Sequence, residues 1–166
     1  MGIEIERKYI IHMPKVEELS VMPDYTVSRI LQIYLEAPEG STHRIRSRSY
    51  PERTVYTETT KTRIDGMSCI EDEREIDEAT FDALSKKILG GTRPILKTRH
   101  TFSFEGLVVE IDIYPDWSRH AIMEIELPER LDSLKIPSII SIKEDVTGVF
   151  GYSNSRMSQC FPKEPD

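Results

Sequence analysis

The sequence predicts an α+β, mainly β fold: an eight-stranded antiparallel closed barrel with a charged lumen and a few covering helices. Three observations predict it. Eight runs of period-two alternation follow one another, joined mostly by short turns. Nearly every run carries a charged row along one face. One longer stretch between the fifth and sixth runs switches to helical spacing. With 166 residues the chain can bury a sizeable core, so it reads as a single domain over residues 1–166.

The first run, Ile3–Ile11, sets Glu4, Glu6 and Lys8 on one face and Ile5, Arg7 and Tyr9 on the other. Pro14 opens a short helix through Leu19, closed by Pro23. Thr26–Glu36 puts Leu31, Ile33 and Leu35 opposite Gln32, Tyr34 and Glu36. After the turn Pro38-Glu39-Gly40-Ser41, Thr42–Ser49 aligns Arg44, Arg46 and Arg48. Thr54–Ile64 aligns Thr57, Thr59, Lys61 and Arg63, and Asp65-Gly66 signals a hairpin into Ser68–Asp77 with Glu71, Glu73 and Glu75 in register. Ala79–Leu89 has helical spacing and Gly90-Gly91 ends it. Arg93–Phe104 pairs Lys97 with Arg99, Leu107–Tyr114 pairs Glu110 with Asp112, and His120–Leu127 pairs Glu124 with Glu126. Pro128–Asp166 reads as irregular or helical cover, with a terminal helix near Ser153–Cys160.

Several strands carry an apolar row opposite the charged one, as in Val109, Ile111 and Ile113. Apolar rows need cover and charges need water, so the consistent solution is an inside-out barrel whose lumen is charged. A net charge of −7 argues against a general nucleic-acid partner. Cys69 and Cys160 alone are too few for a disulfide framework and fit a reducing compartment. The charged N-terminal strand gives no sign of export or of a membrane span, so a cytoplasmic location is expected. The four histidines lack metal-ligand spacing, and Trp117 reads as a packing anchor.

A lumen of this kind suits a highly charged guest. Arg and Lys from several strands match phosphate oxygens. Clustered carboxylates without His or Cys match a hard cation, Mg²⁺ or Mn²⁺ rather than zinc. Together they are the equipment of phosphoryl transfer. The alternative is a set of charges that only neutralise one another.

The residues resemble the CYTH domain of the triphosphate tunnel metalloenzymes, over nearly the whole length. The motifs are Glu4-Ile5-Glu6-Arg7-Lys8, Gln32-Ile33-Tyr34-Leu35, Arg44-Ile45-Arg46, Thr59-Thr60-Lys61, Lys97-Thr98-Arg99, Glu124-Ile125-Glu126, Asp145-Val146-Thr147-Gly148 and Tyr152-Ser153-Asn154. The short run EIERKY is most similar to the bacterial inorganic triphosphatases. The resemblance implies hydrolysis of inorganic triphosphate with Mg²⁺ or Mn²⁺. Thiamine triphosphatase, nucleoside triphosphatase or cyclase activity, or a non-catalytic sensor, are the alternatives. It implies Glu4, Glu6, Glu124 and Glu126 as metal ligands, helped by Asp112. Lys8, Arg44, Arg46, Lys61, Lys97 and Arg99 would grip phosphate. Glu71 and Glu73 would hold a second ion or orient water, with the match of Glu71, Glu73 and Glu75 to the family positions left open, and Lys8, Glu6 and Glu73 are the expected catalytic set. Tyr34 stands either beside Lys97 or as an ordinary barrel tyrosine. The expected partner is a small-molecule triphosphate, with no nucleic acid or membrane and with homodimer formation left open.

Overall fold

In the computed structural model, which describes residues 2–131 and 133–166, eight strands close into an antiparallel barrel. They are β1 (Gly2–His12), β2 (Thr26–Leu35), β3 (Ser41–Ser49), β4 (Thr54–Arg63), β5 (Ser68–Ile76), β6 (Ile95–Phe104), β7 (Leu107–Ile113) and β8 (His120–Glu126). Around the wall the order is β1, β5, β4, β3, β2, β6, β7, β8 and back to β1. This is the expected barrel, and the strand bounds fall within two residues of those read from the alternation.

Closure rests on the length of β1. One edge pairs with β8 through residues 6–12. The other edge pairs with β5 only through residues 2–5. A short strand that the sequence reading placed in irregular cover, β9 (Ile142–Asp145), takes over that second edge at residues 9–11. It supplies backbone partners that β1 would otherwise lack. All four of its side chains are exposed, so no burial periodicity marked it.

Three helices accompany the barrel among the described residues: α1 (Val16–Leu19), α2 (Glu78–Ser85) and α3 (Asn154–Gln159). Asp77 caps α2 by accepting from the Thr80 backbone N–H, and Ser153 caps α3 by accepting from that of Arg156. Helix α2 stops short of the expected Leu89. The Leu89 N–H donates instead to the Tyr34 carbonyl at 2.8 Å, tying that backbone to the barrel.

Burial is inverted, as the alternation requires. Tyr9, Ile11, Phe102, Val109, Ile111, Met123 and Ile125 point outward and are covered by Leu19 and Ile140. Phe81 of α2 covers Ile33, Leu35 and Ile45 on the opposite flank. A third cluster lies on the lumen face itself: Ile10, Ile95, Tyr114, Trp117 and Ile122, sealed by Val146 and by Met157 of α3. It plugs one end of the barrel. Each such buried aliphatic side chain contributes about 1.5–3 kcal/mol. Trp117 is the packing anchor expected, with its indole N–H donating to the Pro162 carbonyl at 3.0 Å. No helix among the described residues is long and apolar enough to cross a membrane.

Candidate functional site

Strand order sorts the lumen by charge. The acidic rows lie on β7, β8, β1 and β5, which are consecutive around the wall. The basic rows lie on β4, β3 and β6, with only β2 between the last two. The two halves meet where Lys61 stands opposite Glu71 and where Arg99 stands opposite Asp112. Within the acidic half, like charges face each other directly: Glu6 opposite Glu126, and Glu110 opposite Glu124. Such pairs are destabilising on their own.

Above the apolar plug the lumen holds a cavity of about 520 Å³. Glu4, Glu6, Glu71, Glu73, Glu124 and Glu126 line it on one side together with Lys8, and Arg44, Arg46, Lys61 and Arg99 on the other. Glu75, aligned with Glu71 and Glu73 in the sequence, is exposed and does not line it. Arg48 and Arg63 stand at its edge, the former donating to Ser28 at 2.8 Å.

Lys8 is a cation set within the acidic half. Its Nζ lies 3.2 Å from Glu124 and 3.9 Å from Glu6, and donates to the Tyr152 carbonyl at 3.1 Å. Its backbone N–H donates to the Thr147 hydroxyl at 2.9 Å. Lys61 lies 2.6 Å from Glu4 and 3.1 Å from Glu71. Arg46 donates twice to the Gln32 amide oxygen, at 3.1 and 2.8 Å, and Gln32 in turn donates to the Tyr34 hydroxyl at 2.9 Å. Arg44 is only 7% exposed, yet its Nε has no hydrogen-bond partner. A buried guanidinium N–H without an acceptor is costly, so this position suits an incoming anion.

The electrostatics follow from burial and sorting. Burial pushes the Glu6 carboxyl up, and neighbouring Glu124 adds to that, to about 8. Burial raises Glu126 too, with Glu110 and Glu4 acting in the same direction. Glu4 is also lifted by burial, but the Lys61 ammonium and its hydrogen bond win and hold it at about 2. On the basic side, burial and the charges of Arg44 and Arg99 draw Arg46 down to about 9. Glu6, Glu126 and Arg46 are thus crowded by their own sign, whereas Glu124 is held down against its burial by Lys8 and Arg99, as Glu4 is by Lys61.

Two expected site residues stand elsewhere. Asp112 is fully buried and does not line the cavity. Its carboxylate accepts from Arg99 Nε at 2.7 Å and Nη2 at 2.8 Å, and from Lys97 Nζ at 2.7 Å, so it anchors the basic half. Lys97 has no side-chain exposure, lies over the Tyr114 ring and reaches Asn154 at 3.4 Å. Both sit one layer beneath the cavity floor, because the plug side chains Ile95 and Tyr114 adjoin them on the same strand faces. Tyr34 lines the cavity but is held by Gln32 rather than Lys97. Thr147, Gln32 and Tyr152 stand in the motifs quoted from the sequence, but their parts in positioning Lys8 and Arg46 were not assigned there. Neutral hydroxyls, amides and backbone groups carry no charge pattern that would mark them.

The remaining acidic wall fits a hard divalent cation. Its donors are all oxygen and its cross-strand neighbours Glu6–Glu126 and Glu110–Glu124 repel, while Glu124 Oε1 and Glu71 Oε2 face the ammonium groups of Lys8 and Lys61 at 3.2 and 3.1 Å. No three of the described side chains already converge as a finished cage. Mg²⁺ does not need one, since it is commonly held by one or two carboxylates together with substrate phosphates and water.

No family model matches the sequence, and no curated protein does. Solved structures do match. The inorganic triphosphatase NE1496 superposes with a TM-score of 0.61 at 25% identity, over 98% of both chains. The protein PH1819 from Pyrococcus horikoshii gives 0.61 at 21% identity, over 78% of this chain and 80% of that one. A putative adenylyl cyclase from Hippeastrum, described as having a dominant triphosphatase activity, gives 0.53 at 16% identity, over 75% and 80%. The chain therefore has the triphosphate tunnel fold, the barrel of the CYTH proteins.

Proposed function

We propose that this chain is a metal-dependent triphosphatase that hydrolyses a phosphoanhydride bond of inorganic triphosphate. The observation that carries the reading is the sorting of charge by strand order. A lumen whose charges served only stability would alternate sign from strand to strand. Here like charges are neighbours around the wall of a cavity of about 520 Å³, and opposite charges pair directly at Lys61, Lys8 and Arg99. The likeness to a structure named inorganic triphosphatase, over nearly the full length, supports the same reading.

Glu4, Glu6, Glu124 and Glu126 would hold Mg²⁺ or Mn²⁺, which when bound lowers the pKa of coordinated water and offsets phosphate charge. Arg44, Arg46, Lys61 and Arg99 grip the non-bridging oxygens, and Lys8 reaches the terminal phosphoryl group from within the acidic half. As a water oxygen bonds to the terminal phosphorus, the bridging P–O bond breaks and its electron pair leaves on diphosphate. The basic side chains stabilise the charge that develops on the equatorial and leaving oxygens. Glu73, whose Oε1 is steadied by the Thr59 hydroxyl at 2.8 Å, takes the proton of the attacking water.

The test is a substrate panel. Purified protein with Mg²⁺ or Mn²⁺ is given tripolyphosphate, thiamine triphosphate and ATP, scoring orthophosphate and cyclic nucleotide. Tripolyphosphate should be cleaved, and Lys8→Ala should lose most of that rate with the fold intact by circular dichroism. Thermal stabilisation by tripolyphosphate without turnover would replace the enzyme with a sensor. Absence of both turnover and stabilisation would sink the proposal.

A further inference from the structure

We propose that Arg7 and Asp145 are positioning residues for Lys8: acting through Thr147, they fix from outside the wall the backbone from which Lys8 reaches into the lumen. The inference rests on the triphosphatase reading of the cavity and deepens it. Neither Arg7 nor Asp145 lines the cavity.

Lys8 sits at a gap in the wall. On its second edge β1 pairs with β5 up to residue 5 and with β9 from residue 9, so residues 6–8 have no strand partner there among the described residues. Backbone groups left bare at such a gap would be costly. Groups outside the ladder fill it instead. The Lys8 N–H donates to the Thr147 hydroxyl at 2.9 Å. The Lys8 carbonyl accepts from the Val146 N–H at 2.9 Å and from the Thr147 hydroxyl at 3.3 Å. One threonine side chain thus does at Lys8 what a neighbouring strand does elsewhere.

That hydroxyl is itself held. Asp145 Oδ1 accepts from the Thr147 backbone N–H at 2.9 Å, and Oδ2 accepts from Arg7 Nη2 at 2.5 Å. Arg7 Nε donates to Thr147 Oγ1 at 3.3 Å, and Arg7 Nη1 donates to the Leu131 carbonyl at 3.5 Å. With these bonds the one donor and both acceptor sites of the hydroxyl are in use. The bonds close a ring from Arg7 through Asp145 and Thr147 to Lys8, the next residue along the chain. Stability gives a poor account of the ion pair. The Asp145 side chain is 42% exposed and that of Arg7 17%, and pairs this open to water contribute little. What the pair does fix is orientation, and it fixes it at the residue whose ammonium group stands between Glu124, Glu6 and the Tyr152 carbonyl.

The test measures tripolyphosphate turnover with Mg²⁺ for Arg7→Met, Asp145→Asn, Thr147→Val and Thr147→Ser, each alone and combined with Lys8→Ala. Amide hydrogen exchange at Lys8 is followed in the variants that retain it. A misplacement of about 1 Å can cost about a hundredfold, so partial release of Lys8 should lower kcat about tenfold in the first three variants. KM should stay within about twofold, because Lys8 acts on the terminal phosphoryl group while the basic cradle still binds. Thr147→Ser keeps the hydroxyl and should keep the rate within about twofold. Arg7→Met combined with Asp145→Asn should be no worse than either alone, since both break one chain of bonds. In the Lys8→Ala background none of the changes should lower the residual rate further. The Lys8 amide should exchange faster in the first three variants and as in wild type in Thr147→Ser. Additive losses from Arg7→Met and Asp145→Asn, the same loss with and without Lys8, or no loss in any variant would overturn the brace while leaving the triphosphatase reading in place. Failure of wild type to cleave tripolyphosphate would overturn that reading, and this inference with it.

Discussion

Replacing Glu6 with Gln should make the metal-free protein more stable at alkaline pH while removing its activity. In the folded barrel the Glu6 carboxyl is moved from 4.5 to about 8, by burial first and by Glu124 second. A raised carboxyl favours the protonated folded state, so its effect on stability is nil below about pH 4.5 and unfavourable above it. The penalty grows as pH rises toward 8 and is constant beyond. The shift corresponds to about 5 kcal/mol when fully developed. A quarter of the side chain faces water, at 26% relative exposure, and Lys8 and Lys61 oppose the shift, so about 2–3 kcal/mol is the expected size. The assay is urea unfolding with chelator present, at pH 5 and pH 8.5, for wild type and Glu6→Gln. Wild type should lose about 2–3 kcal/mol more than the variant between these two pH values. Added Mg²⁺ with tripolyphosphate should protect wild type and not the variant. Parallel pH dependences for the two proteins would refute the charge-sorting argument, because Glu6 would then be no more crowded folded than unfolded.

The first of two further outcomes concerns the segment that closes the seam between β1 and β5, and the second the C-terminal residues packed at the start of β8. Gly148 has φ +72°, and a Cβ there would stand 2.7 Å from the Gly66 carbonyl oxygen, so Gly148→Ala should displace residues 146–149 from the β4–β5 turn. With Thr147 and the Tyr152 carbonyl no longer seated on Lys8, tripolyphosphate turnover should fall at least tenfold, by about 1.4 kcal/mol or more, with little change in circular dichroism. Glu164 accepts from the backbone N–H groups of Ser118, Arg119 and His120, and these bonds bring its carboxyl down to about 2 although burial acts the other way. Its contribution is complete above pH 4.5 and lost as pH falls toward 2. Glu164→Gln should therefore lower protection of amides 118–120 from hydrogen exchange at pH 6, and the difference from wild type should shrink on acidification.

Much of this was legible in the sequence because strands with one wet and one dry face keep strict alternation. Glu4, Glu6 and Lys8 could be placed on one face from spacing alone, and β1 pairs as that placement requires. Alternation does not report depth along the barrel. Asp112 and Glu110 share a face, yet Glu110 lines the cavity while Asp112 lies beneath it beside Tyr114. Lys97 and Arg99 are divided in the same way. Which residue of a row meets the guest depends on strand stagger and on where the plug ends, and both are tertiary. Strand β9 was invisible for a different reason: it pairs through its backbone and buries nothing.

The plug and the sorted lumen are physically linked. An eight-stranded barrel has room for an ordinary apolar interior, and apolar filling would be the more stable choice. This chain confines such filling to one end, around Ile10, Ile95 and Ile122, and moves the rest of its apolar burial outside the wall. Just above the plug, Asp112 binds Lys97 and Arg99 in a network whose oxygens and nitrogens are matched and sealed from water. That layer converts a dry floor into a charged one without leaving an unpaired ion in apolar surroundings. Above it the matching is incomplete: Arg44 Nε is buried without a hydrogen-bond partner, while Glu71 Oε2 and Glu124 Oε1 face the ammonium groups of Lys61 and Lys8 at 3.1 and 3.2 Å. A barrel under selection for stability alone would carry its pairing on to the mouth, so the break in pairing is itself the mark of a ligand site.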